Sequence, residues 1–441
     1  MSPSTRKIAV VGGGWAGCAA AVELAERGES VTLFEAARTL GGRARMVEIN
    51  GRQLDNGQHI LLGAYSETLR LMRKVGIDSK NTLLRLPLQM RYPPDSGGMD
   101  FVTPRLPAPL HMLIGLLRAK GLAREDKLAL ARFSTTARWM GWRLNDDCSV
   151  TELLDRFDQT DRLIRLMWRP LCIAALNTPP ERASAQIFLN VMRDSLGARR
   201  AASDMLLPRV DLCRLFPQRA ADFVLQRGGL IRHGATVKRI GREGSQWRIE
   251  LNDDSESYDG VIVATQPSQA ASLLEGVNGL PALLSFDYEP ITTCYLQYGP
   301  SLKLASPFFA LPESAADEEW GQFVFDRGWL DESQTGLLAV VVSASGDAVE
   351  AGHEALAAAI AAQLARVFQR PELRTPEWTR VITEKRATFS CSPALARPGN
   401  AMPLNGIAIA GDYTESSYPA TLEAAIRSGV QAAQCVSSAT R

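Results

Sequence analysis

The stretch from Lys7 to Arg45, KIAVVGGGWAGCAAAVELAERGESVTLFEAARTLGGRAR, constrains this 441-residue chain more than any other. Residues 7–11 form a β-branched run that reads as a buried parallel strand. The run ends in Gly12-Gly13-Gly14-Trp15-Ala16-Gly17, a G-x-G-x-x-G with its glycines at 12, 14 and 17. A helix is predicted from Ala16 to about Arg27, with Gly28 where a C-cap belongs. A second strand over 30–34 then ends on Glu35.

Each part has a physical task. Gly12 permits the tight strand-to-helix turn, Gly14 admits a pyrophosphate close to the backbone, and Gly17 lets helix and strand approach. The helix N-terminus at Trp15 and Ala16 offers free N–H groups and the positive dipole end to the phosphates. Glu35 can accept from a ribose diol and repels a 2′-phosphate, which disfavours NADP. A glycine triplet alone is a weak signal. Here it follows a strand, opens a helix and has its acid at the expected distance, so a dinucleotide site is expected rather than an unrelated glycine-rich turn.

The chain is long enough for two domains, each with its own core. With 46% hydrophobic residues, 22% charged and a net charge of +1, the composition leaves no electrostatic footprint for nucleic acid. The seven cysteines are scattered, without C-x-x-C or paired histidine spacing, which argues against a metal site or disulfide framework and for a reducing cytoplasm. The first six residues are polar and carry no signal-peptide core. No window reaches the ~18 consecutive apolar residues of a membrane span.

Further on, two short strands are expected around Asn50-Gly51. The polar cluster Asp55-Asn56-Gly57-Gln58-His59 then enters an apolar run, as a loop reaching an interior site would. His59 has a suitable pKa for a general acid, or is simply satisfied by backbone hydrogen bonds. A short amphipathic helix follows over 65–75. Residues 104–122, PRLPAPLHMLIGLLRAKGL, read either as a monotopic membrane contact flanked by Arg105, Arg118 and Lys120 or as a core helix. Helices continue to about 196. Ser149 and Glu152 form a capping-box pattern, and Pro170 predicts a kink near Arg169. A helix over 217–227 ends at Gly228-Gly229. Strands are expected over 236–240, 247–251 and 260–264, with a turn at Asp253-Asp254. Later strands are expected over 292–298, 322–325 and 337–343, then one helix over about 350–369. Tyr288, Tyr295, Tyr298 and Phe325 floor a pocket or, more plainly, pack one face of that sheet. The C-terminus offers a strand over 406–410, then Gly411-Asp412-Tyr413-Thr414 and a small-residue helix from about Pro419. Asp412 at a strand end suits a polyol.

Gly41-Gly42-Arg43, six residues beyond Glu35, has no counterpart expected in NAD enzymes. This GGR segment and the C-terminal GD segment resemble those of the flavoprotein superfamily of amine oxidases and carotenoid desaturases. The resemblance implies FAD as cofactor, with Arg43 on its phosphates and Asp412 near the ribityl-phosphate. It also implies Val237 at the adenine, Ala264 lining the cofactor, and the helix start at Thr421 and Leu422 aimed at the flavin. The implied fold is α/β: a Rossmann-like FAD-binding domain over 1–95, 217–279 and 386–441, interleaved with an α+β substrate domain over 96–216 and 280–385. No second G-x-G-x-x-G marks a separate NAD(P)H site.

Longer stretches narrow the resemblance. DNGQHILLGAY (55–65), LPAPLH (106–111), WRPLCIAALNTP (168–179), SDMLLPRVDL (203–212), YEPITTCYLQY (288–298) and FVFDRG (323–328) are similar to the hydroxysqualene dehydroxylases, squalene-associated FAD enzymes of hopanoid pathways. One departure is Gln322-Phe323 in place of an expected Gln-Trp. The family implies reductive removal of the allylic hydroxyl of hydroxysqualene, with an unidentified electron donor. His59 is the first candidate acid, Asp55 the second and Asp326 the third. A carotenoid desaturase running electrons the other way, and a non-catalytic lipid-binding protein of the same fold, are the competing readings. The expected location is cytoplasmic, or peripheral on the inner face of the membrane if 104–122 touches lipid.

Overall fold

The computed structural model describes residues 5–49, 51–252, 254–281 and 285–438. Asn50 and Asp253, which the sequence places in turns, lie outside these.

A five-stranded parallel sheet gathers segments from the whole length of the chain. Its order is Leu230–His233, Ser30–Glu35, Lys7–Val11, Gly260–Val263, Ile407–Ile409. The central strands read as near-continuous apolar runs because both faces are covered. The helix Trp15–Glu26 covers one face together with the C-terminal helix Leu422–Ser438. These two helices lie very close: a Cβ on Gly429 would stand 2.1 Å from the Ala16 carbonyl oxygen and 3.0 Å from Ala19 Cβ. The small-residue run near the C-terminus is therefore a helix-packing surface.

The second sheet is antiparallel, ordered Phe308–Ala310, Phe323–Asp326, Leu337–Ser343, Tyr288–Gln297, Trp378–Phe389. Alternation divides its side chains between two cores. Cys294, Leu296, Val324 and Val340 pack with Ile360 and Leu364 of the helix His353–Val367. The opposite face carries Ile291, Phe323, Phe325 and Val341 and looks onto the main cavity. Tyr295 and Tyr298 are buried, with their hydroxyls donating to the carbonyls of Asp55 and Leu373 at 2.9 and 2.7 Å. Of the four aromatic residues singled out in sequence, Phe325 reaches the cavity and these two tyrosines are packing.

Several elements differ from expectation for identifiable reasons. The strand expected over 236–240 begins at Arg239, and residues 235–238 run without a ladder past the cavity. Leu230–His233 is a short, half-exposed edge strand with too few apolar residues to announce itself. Trp378–Phe389 alternates with charges because one face is solvated. The helix expected over 350–369 is broken at Gly352, which sits at φ +85°. The C-terminal helix starts at Leu422 rather than Pro419, and the Thr421 hydroxyl accepts from Ala424 N–H at 3.2 Å, an N-cap arrangement.

The disturbance expected from Pro170 appears as a π-helical turn over Ile164–Trp168 leading into the helix Arg169–Leu176. Proline cannot donate to the carbonyl four residues earlier. That carbonyl, Leu166 O, instead accepts from the buried Tyr92 hydroxyl at 3.0 Å.

The helix Leu110–Arg118 is not a core element. Only His111 and Gly115 are buried, whereas Leu110, Leu113 and Leu117 are 48%, 51% and 61% exposed. Among the described residues no helix is long and apolar enough to cross a membrane.

Candidate functional site: a dinucleotide cradle with an apolar end

A cavity of about 760 Å³ runs between the two sheets. Its polar half is built at the C-terminal ends of the parallel strands, where open α/β sheets bind ligands. Gly12 takes φ +107°, and a Cβ there would lie 2.6 Å from the Ala264 carbonyl oxygen. On Gly17 a Cβ would lie 1.9 Å from the Gly12 carbonyl oxygen. Gly14 differs: its nearest neighbour would be Gly42 Cα at 3.9 Å, so the space above it is open to the cavity. These are the positions that need no side chain if a pyrophosphate is to sit on the helix N-terminus. Gly41 and Gly42 close the cradle from the other side: Gly41 N–H donates to Gly13 O at 2.9 Å, and both take positive φ.

The structure brings nearly all the sequence-derived cofactor residues to this one cavity. Gly12, Gly14, Trp15, Ala16, Glu35, Gly41, Gly42, Arg43, Val237, Ala264, Gly411, Asp412, Thr421 and Leu422 all line it. Gly17 lies behind the wall as a spacer, and the Trp15 indole turns into the protein, donating to Ala44 O at 3.1 Å. Two residues are more engaged than the sequence suggested. Glu35 accepts from Gly13 N–H and Ala37 N–H, both at 2.7 Å, so it also fixes the glycine turn. Arg43 forms an ion pair with Asp412 at 2.7 Å and donates to Ala387 O at 2.7 Å, joining motifs 369 residues apart.

Other parts were not foreseen. Gly13 is also closely packed, since a Cβ would meet the Leu40 side chain at 2.4 Å and Glu35 Oε2 at 3.0 Å; the third consecutive glycine was the available signal. Arg397 clamps the C-terminal loop by donating to the carbonyls of Asp412, Tyr413, Ser416 and Tyr418 at 2.7 to 3.3 Å. Nothing in the local sequence marks it.

The far end of the cavity is apolar, lined by Ala174, Ala175, Ile291, Phe323, Phe325 and Val341. The 55–59 loop runs along it, and His59 lines the cavity. His59 Nδ1 is 2.8 Å from Gly57 O. A carbonyl only accepts, so Nδ1 carries the hydrogen and Nε2 is the nitrogen left to exchange a proton. Burial lowers the imidazole pKa, with the Gly57 bond opposing.

Asp55 and Asp326 do not reach this cavity. The Asp55 carboxylate is buried and accepts from Leu212 N–H at 2.9 Å, and Asp326 accepts from Leu304 and Gly328 N–H at 2.8 and 3.0 Å. Both are backbone anchors. Burial is the main cause that pushes the Asp55 carboxyl up, from 3.8 to about 6, against the opposing charge of Arg327. Because the folded value is the higher one, this group stabilises the fold below pH 3.8 and that contribution is lost as pH rises through about 6. The rise corresponds to roughly 3 kcal/mol at most. Asp55→Asn should therefore flatten stability against pH between about 4 and 7 relative to wild type in denaturant titrations. Parallel curves for the two proteins would contradict this.

A parallel sheet, a glycine cradle, an acid on the second strand and a second glycine segment joined to a C-terminal Gly-Asp meet at one cavity that has the features a dinucleotide needs. The chain belongs to the flavin containing amine oxidoreductase family, whose model matches residues 15–437. It is an FAD-dependent oxidoreductase. It is 27% identical over 459 residues to the hydroxysqualene dehydroxylase of Rhodopseudomonas palustris, covering 99% of this chain and 100% of that one. It is 24% identical over 481 residues to the zeta-carotene desaturase of Synechocystis, covering 98% and 97%. An oxidoreductase from Methanosarcina mazei shares the fold at a TM-score of 0.73 and 16% identity, covering 97% of this chain and 99% of that one.

Proposed function

We propose that this protein removes the allylic hydroxyl of hydroxysqualene reductively, giving squalene. The observation that carries the reading is the cavity's composition: a dinucleotide cradle opens onto an apolar end beside which the loop sets a histidine with a free Nε2. That end suits a hydrocarbon chain. The similarity to proteins named hydroxysqualene dehydroxylase, over almost their whole length, supports it.

Reduced FAD, when bound, supplies hydride. The protein's own contribution is threefold. Gly12, Gly14 and the Arg43–Asp412 pair position the cofactor. The apolar walls keep water from a developing allylic cation. Protonated His59 gives its proton from Nε2 to the departing oxygen. With that proton the hydroxyl would leave as water as the C–O bond breaks, and the new C–H bond would be the one that a reduced flavin held by Gly12, Gly14 and the Arg43–Asp412 pair supplies. The physiological electron donor is a separate partner.

The similarity to zeta-carotene desaturase favours a second reading, an isoprenoid desaturase that passes electrons from lipid to oxidised flavin. Anaerobic incubation of the oxidised holoprotein with zeta-carotene and a quinone acceptor separates the two. We expect no longer-wavelength carotenoid; its formation would favour the desaturase.

The exposed Leu110, Leu113 and Leu117, with Leu106 beside them and Arg105, Arg118 and Lys120 at the margins, form the surface through which the protein would meet a lipid bilayer. Burying two leucines contributes roughly 3 kcal/mol or more. The double substitution Leu113→Glu and Leu117→Glu should lower co-sedimentation with anionic phospholipid vesicles by about 10²-fold. Turnover of detergent-dispersed substrate should stay within about twofold. Unchanged sedimentation would place the contact elsewhere.

A further inference from the structure

Against Gln58, the neighbour of His59, lies a buried cation that neither the cofactor cradle nor the proton transfer uses. Arg327 is only 4% exposed, and among the described residues no carboxylate lies within ion-pair distance of it. Its Nε donates to Gln334 Oε1 and its Nη1 to Gln58 Oε1, both at 2.8 Å. Asp55 is close enough for its carboxyl to respond to Arg327, and its Oδ1 accepts from Leu212 N–H at 2.9 Å.

A guanidinium has donors and no acceptor, so it settles the orientation of the Gln58 amide: the oxygen faces Arg327 and the NH₂ faces the other way. Gln58 lines the cavity next to His59. Among the described residues the amide nitrogen makes one long contact, 3.3 Å to His59 O, which leaves its second hydrogen without an acceptor there. An amide whose oxygen is bound to a buried cation is polarised and is the stronger donor for it.

We propose that Gln58, oriented by Arg327, binds the hydroxyl oxygen of the substrate. This inference rests on the reading of the protein as acting on an isoprenoid alcohol, and it names how that alcohol is told from a hydrocarbon. The oxygen has two lone pairs. One accepts from Gln58, and the other receives the proton from His59. As the C–O bond lengthens, negative charge grows on that oxygen and the amide donor stabilises it. Once water has gone, squalene has no group for the amide, which favours product release. Arg327 is the positioning residue, because it touches the amide and not the cavity.

The test uses the oxidised holoprotein with its FAD. Hydroxysqualene and squalene are titrated separately in detergent, and the visible flavin spectrum reports binding. Wild type should bind the alcohol about 10-fold more tightly than the hydrocarbon, the worth of one good hydrogen bond. Gln58→Leu should bring that ratio to about one, leaving squalene affinity and FAD content unchanged. Gln58→Met, of similar length with neither an amide donor nor a strong acceptor, should lose the preference as well even if the leucine variant folds poorly. Arg327→Lys should reduce the ratio while FAD content holds. A ratio intact in both Gln58 variants would overturn the proposal. Wild type that binds neither lipid would remove the functional reading itself, and this inference with it.

Discussion

Gly17→Ala should yield protein that purifies without flavin and melts well below wild type. The added Cβ would stand 1.9 Å from the Gly12 carbonyl oxygen, 3.0 Å from the Gly12 carbonyl carbon and 3.2 Å from Ala264 Cβ. Two of these neighbours are backbone, so no rotamer relieves the contact, and the helix Trp15–Glu26 must move off the strand. Overpacking costs typically 1–3 kcal/mol, and this geometry belongs at the upper end or beyond. Gly12 is itself fitted against the Ala264 carbonyl, so movement of the helix also opens the turn that receives the pyrophosphate. Loss of FAD affinity by at least about 10²-fold is expected, as a few kcal/mol implies. Gly14→Ala is the informative partner. Its Cβ would meet nothing closer than 3.9 Å, so the apoprotein should melt within a degree or two of wild type while FAD affinity still falls. Thermal melts of the apoproteins and flavin content of the purified proteins check both. A Gly14→Ala protein that retains FAD at wild-type affinity would show that the phosphates do not pass over this glycine.

His59→Ala should lower turnover by about 10³-fold, within the range assigned to a general acid, while the protein stays yellow. The cradle is built from other segments, and among the described residues the His59 side chain hydrogen-bonds to Gly57 O within its own loop. The wild-type pH profile adds a second check. Burial holds the imidazole below its ordinary 6.5, so the reactive cation is populated only at lower pH. The rate should therefore fall as pH rises, with a midpoint below 6.5. His59→Ala should lose this limb as well as the rate. Full activity in the variant would remove His59 from the chemistry.

The nucleotide half of the site was legible because each of its demands has a residue-level signature. The glycines at 12 and 14, the acid at 35 and the Gly-Asp at 411–412, each marked in the sequence, line one cavity, and Gly17 sits where a side chain would strike the Gly12 carbonyl. What could not be read is pairing across sequence distance. Arg43 and Asp412 were each marked as cofactor residues, but no local pattern says that they hold each other. Arg397 looks like an ordinary surface arginine in sequence, and the partners of Arg397 and Arg327, like the burial of Arg327, exist only after the chain folds. Asp55 shows the converse. It sits in a polar loop motif next to the site, yet its carboxylate serves the Leu212 backbone. The 104–122 segment has a composition that fits core and membrane equally, and only the packing of His111 and Gly115 decides which face turns inward.

The measurement that bears most directly on the central claim is an anaerobic single turnover. The FAD of the purified holoprotein is reduced chemically, hydroxysqualene is added, and the flavin spectrum is followed while the lipid is extracted and weighed against the flavin. Reoxidation with one squalene formed per flavin is the predicted result. Flavin that stays reduced in the presence of hydroxysqualene, with no squalene in the extract, would contradict the account.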